Sequence, residues 1–163
     1  MAMDEEQLFQ KITDFLTEIG IYYKLTTIEE TTFLPGLKIN AGILLIDKDK
    51  CEYYGDILHE AGHMAILSTK ERFHKKGDLG TGIGEHAAIL WSYAATIYIN
   101  IPSSVVFHGQ GYQDNSDRLI EEFSNENYVG LPSLQWYGMA FDEENAAIHE
   151  VEPFPYMTQW LRT

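Results

Sequence analysis

From about Asp4 onward, Leu8, Phe9, Ile12, Phe15, Leu16 and Ile19 recur at the spacing of a 3.6-residue repeat, and Gly20 stands where a helix stop belongs. The pattern predicts an amphipathic helix. The texture then changes. Residues 21–28 (IYYKLTTI) and 42–47 (GILLID) are rich in β-branched, aromatic and aliphatic side chains, with Pro35-Gly36 marking a turn between them, which predicts two strands of a small sheet. The second strand is apolar enough to be central; as an edge it would instead offer a partner to an extended peptide.

Helical spacing returns from about Asp56 to Ser68, where Ile57, Leu58, Ala61, Met64, Ala65 and Leu67 fall near a 3.6 period. A polar, glycine-rich stretch (KERFHKKGDLGTGIG) follows, then a long apolar helix from about Ile83 to Ile99, closed by Pro102. Asn115 to Glu126 reads as a short amphipathic helix with Leu119, Ile120 and Phe123 on its apolar side. Residues 127–163 mix Gly130, Pro132, Pro153 and Pro155 with Tyr128, Trp136, Phe154 and Trp160, which predicts loops and short turns over the core rather than a second domain. The fold class expected is α+β, a small sheet packed against helices, in one domain spanning 1–163.

Composition narrows the chemistry. The 163 residues suffice for one sizeable core, and 45% apolar against 22% charged residues is a globular balance. A formal charge of −14 would repel a phosphate backbone, so nucleic acid is not an expected partner. The region between Glu85 and Asp114 carries no Asp, Glu, Lys or Arg, but Ser92, Tyr93, Thr96, Asn100, Pro102 and His108 interrupt it well short of the ~20 apolar residues a membrane span needs. A buried core helix is expected there, with no membrane association. The N-terminus lacks the basic and apolar regions of a secretory signal, which makes the cytoplasm the expected location. Cys51 is the sole cysteine, so a metal site must be built from His and carboxylates.

His59-Glu60-Ala61-Gly62-His63 supplies such a set. On a helix the i, i+4 spacing puts both imidazoles on one face, one turn apart, while Glu60 lies about 100° around the axis, beside the ion rather than on it. An open zinc site has three protein ligands and a water whose pKa falls to about 7, and a neighbouring carboxylate can take that proton. In a chain of this composition the motif is expected by chance about 0.02 times, so coincidence is a poor explanation. Gly62 costs ~1 kcal/mol relative to Ala inside a helix, which implies that something packs closely there.

The third ligand must come from elsewhere. Glu85, 22 residues after His63 and at the start of the next helix, gives a His₂Glu set, although a carboxylate there can also complement the helix dipole. His86 would give a His₃ set instead. His74 and His149 read as solvated. His108, in a glycine-containing loop beside Tyr112, is either a structural histidine or a donor to a developing oxyanion. Tyr93 reads as a core aromatic. Asp56 complements the start of the motif helix, with a bond to a ligand histidine as the alternative.

Taken with HEAGH, the order of strand, LPG turn, strand, motif helix and a further helix beginning with Glu and ending near a proline resembles the ImmA/IrrE-type zincin-like metallopeptidase domain over residues 20–107. The resemblance implies a zincin-like α+β core, zinc held by His59, His63 and Glu85, Glu60 as general base, and a peptide or protein substrate. A zinc-binding but inactive interaction or immunity module, using the aromatic-rich C-terminal part as its surface, is the alternative.

Overall fold

The computed structural model describes residues 3–74, the backbone of 76 and 77, 84–109 and 115–163. The architecture is mixed α+β. Helix α1 (Glu5–Ile19) starts at Asp4, whose carboxylate accepts from the Gln7 backbone N–H while Gln7 answers at the Asp4 N–H, and ends at Gly20 in the left-handed region. It buries Phe9, Ile12, Phe15 and Leu16 as its periodicity predicts.

Strands β1 (Tyr22–Leu25), β2 (Leu37–Asn40), β3 (Ile43–Ile46) and the two-residue β4 (Lys76–Gly77) form a sheet in the order β1-β3-β2-β4. β1 runs parallel to β3, whereas β2 is antiparallel to both β3 and β4. The sheet departs from expectation in three respects: between the two anticipated strands lies a third, β2, the 21–28 run is a strand only over Tyr22–Leu25, and β4 falls in the stretch that reads as polar loop. β2 returns into β3 through Ala41-Gly42, both at positive φ (50° and 88°), the backbone a two-residue hairpin requires. Leu37 faces Ile46 and Ile39 faces Leu44 across this pair, and all four side chains are fully buried on the core side. β3 is central, so it has no free edge for a peptide.

Helices α2 (Gly55–Ala65) and α4 (Glu85–Tyr98) pack against one another at the centre of the molecule. Every residue of α2 is buried, and it ends three residues earlier than its periodicity predicts. The reason is a new helix, α3 (Thr69–His74), within the stretch that reads as polar loop. Its Arg72, only 6% exposed, turns back to donate to the carbonyls of Met64, Ala65 and Leu67, closing the C-terminal end of α2. The expected start of the next helix at Ile83 lies outside the described residues.

Helix α5 (Ser116–Ser124) follows, and the C-terminal part holds two further helices where loops are expected, α6 (Leu131–Trp136) and α7 (Glu143–His149). The last residues close over the core: Trp91 Nε1 donates to the Trp160 carbonyl at 2.9 Å, Arg162 N–H donates to Ala65, and the Arg162 carbonyl accepts from Arg72. Tyr128, Phe154 and Trp160 are ring partners of internal aromatics, while Trp136 stands 85% exposed. Among the described residues no helix is long and apolar enough to cross a membrane.

Candidate metal centre

Two helices supply the residues of interest. His59, Glu60 and His63 project from α2, and Glu85 is the first residue of α4, where the chain leaves Gly84 in the left-handed conformation. Gly62, between the two histidines, allows the helices to meet: a Cβ there would lie 2.8 Å from the Ala88 carbonyl oxygen and 3.2 Å from the Trp91 ring. That close approach brings Glu85 over the histidine pair.

His59 Nε2 lies 3.3 Å from Glu85 Oε1 and His63 Nε2 lies 2.8 Å from Glu85 Oε2. The two rings stand almost perpendicular, centroids 4.8 Å apart. For ligand bonds of about 2.0–2.1 Å at tetrahedral angles, neighbouring donor atoms sit about 3.3 Å apart, close to both spacings. His63 Nε2 and Glu85 Oε2 are buried and, despite their proximity, make no hydrogen bond with each other or with any described residue. Buried polar atoms are rarely left without a partner, and an ion shared between them would satisfy both. Among the described residues this is the one group of three His, Cys, Asp or Glu side chains whose ligand atoms all lie within 4.8 Å of one another. The residues therefore fit a divalent cation of the zinc type.

Burial excludes a solvated helix face, since His59, Glu60 and His63 are 7%, 4% and 5% exposed. Burial also raises the Glu85 carboxyl, but the two imidazoles outweigh it and hold the group down at about 2. A folded-state pKa below the ordinary value means that folding favours the ionised form. In the metal-free protein this stabilisation is full above about 4.5 and is lost as pH falls toward about 2. Urea unfolding at pH 5 and pH 3 should show a loss of stability that shrinks in Glu85→Gln, whereas equal losses in both proteins would remove Glu85 from the account.

The other sequence candidates are placed elsewhere. His86 is exposed and stands apart from the cluster, so the His₃ alternative has no geometric support. His74 is exposed and bonds the Lys70 carbonyl; His149 is exposed and stacks on Phe141. Tyr93 is packed among Phe107, Phe123, Tyr128 and Phe154. Tyr112 lies outside the described residues.

Asp56 and His108 are brought together, a pairing the sequence does not announce. His108 Nε2 is 2.7 Å from Asp56 Oδ1, its ring stacks on Tyr53 at 3.8 Å, and Ser116 Oγ donates to its carbonyl. The bond of Asp56 therefore goes to His108 and not to a ligand histidine. Arg72 is the other residue whose role was not legible, because KERFHKK carries no apolar period to betray a buried guanidinium.

Comparison of the chain with protein-family models, with curated proteins and with solved structures returns no match.

Proposed function

We propose that this chain is a zinc-dependent metallopeptidase in which His59, His63 and Glu85 hold the ion and Glu60 is the general base. The observation that carries the reading is the clustering of three ligand groups from two helices, with the buried atoms His63 Nε2 and Glu85 Oε2 left without a hydrogen bond. Zinc bound there supplies Lewis acidity, polarising a peptide carbonyl and making a water easier to deprotonate.

The remaining steps belong to the chain. Glu60 follows His59 in sequence and contributes none of the three clustered ligand atoms, so its carboxylate serves to accept the proton of an attacking water and return it to the departing amine nitrogen. His59, Glu60 and His63 are buried, while the Glu85 side chain keeps 21% of its surface exposed. The proposed likeness to ImmA/IrrE-type domains rests on HEAGH, on the order of the elements and on a carboxylate opening the second helix.

The test is elemental analysis of the purified protein together with cleavage of a mixed peptide library. One equivalent of zinc and cleavage that stops with a chelator and returns with added zinc are expected. At free zinc about 100 times Kd the ion should also stabilise the fold by about 2.7 kcal/mol. Protein that takes up no divalent metal, or that is metal-loaded and cleaves nothing in the library, would exclude the peptidase reading.

A further inference from the structure

Asp56, His59, Glu60 and His63 stand at i, i+3, i+4 and i+7, one stripe along a helix whose other residues are apolar or glycine and whose every position is buried. Three members of that stripe belong to the proposed centre. The fourth, Asp56, does not, yet it is a carboxylate 6% exposed, a rise of about 4.5 Å along the helix from the first ligand. A buried carboxylate in that position calls for an explanation beyond helix capping, because exposed acids complement helix starts equally well.

The surroundings are built to hold it. Gly55, the first residue of α2, admits the Val105 carbonyl so closely that a Cβ would lie 1.9 Å from that oxygen, which docks the segment after α4 onto the start of α2. Three residues later that segment delivers His108 to Asp56, with Tyr53 under the ring and Ser116 on its carbonyl. Among the described residues, the other titratable groups acting on Asp56 are Cys51 and Glu52 before α2 and His59 on it. Burial pushes the Asp56 carboxyl up, and the bond from His108 is the largest influence pulling it back.

We propose that Asp56 and His108 form a positioning pair for the metal centre: the hydrogen bond between them fixes a buried carboxylate on the ligand face of α2, where it strengthens binding of a divalent cation by His59, His63 and Glu85. The inference rests on the zinc reading of that centre but not on peptide cleavage. Asp56 bonds His108 and not a ligand, so it acts on the ion through space, from its fixed place three residues before His59.

Zinc affinity, measured by chelator competition at pH 7.5, tests it. Asp56→Asn, nearly isosteric but neutral, should bind zinc at least about tenfold more weakly, and His108→Leu, which leaves the carboxylate without its donor, should match it. His108→Gln retains a donor and should stay near the parent value. The double variant Asp56→Asn/His108→Leu should be no weaker than either single change, because the two act as a unit. For any variant that unfolds without metal, the dependence of its Tm on zinc concentration gives the affinity instead.

Parent-like affinity in Asp56→Asn overturns the inference and leaves the peptidase reading intact. The expected pattern in a protein that cleaves no peptide overturns the peptidase reading and leaves the inference intact. Absence of zinc binding by the parent protein overturns both.

Discussion

Replacing Glu60 with Gln is expected to leave zinc stoichiometry and thermal unfolding near those of the parent protein while lowering peptide turnover by about 10²- to 10⁴-fold. Gln preserves the shape of the side chain and its place on α2 but cannot accept a proton at neutral pH. Position 60 contributes none of the three clustered ligand atoms, so loss of its charge leaves the metal set complete. The expected signature is thus a fall in kcat with metal content held. Turnover within about threefold of the parent would remove Glu60 as the base, because a group that shuttles the proton in the rate-limiting step supplies orders of magnitude. Loss of zinc together with activity would point instead to a role in holding the ion.

How far these features can be read from the chain differs by element, for physical reasons. α1 is legible because one apolar face and two capping signals agree. α2 is legible by period but not by burial: a helix enclosed on all sides still shows the polar stripe of its functional face, and a stripe of that kind ordinarily marks solvent. β2 was hidden because its hairpin uses Ala41-Gly42 in place of Asn-Gly or Asp-Gly, with Ala at φ 50° where its Cβ is disfavoured. The short helices α3, α6 and α7 hold six or seven residues each, too few for a period to stand out from a polar background.

The candidate site divides along the same line. His59 and His63 could be placed together because one helix turn fixes their spacing. Glu85 could be chosen over His86 only by asking which residue type completes a set, since the distance between two helices is a tertiary fact. Glu85 lies over the pair and His86 is exposed. The bond between Asp56 and His108 spans 52 residues and depends on the docking of a loop, for which neither residue carries a local signal.

Enlarging Gly62 to Val should damage fold and site together. The substituted Cβ would stand 2.8 Å from a backbone oxygen of Ala88 and 3.2 Å from Trp91, a fully buried ring, so neither neighbour can swing aside as the end of a flexible side chain would. α4 must move away from α2 by several tenths of an ångström. Overpacking of this kind costs about 1–3 kcal/mol, and the branched side chain regains little helix propensity over Gly. Glu85 sits one turn before Ala88 on α4, so the same displacement draws its carboxylate from the 2.8 and 3.3 Å spacings to the histidines. Calorimetry of Gly62→Val should show a Tm lower by several degrees, and chelator competition should show weaker zinc binding. Gly62→Ala should lie between, its propensity gain of about 1 kcal/mol set against a smaller intrusion. A Gly62→Val protein as stable as the parent, with zinc bound as tightly, would mean that the approach of α4 to α2 does not set the separation of the three ligands.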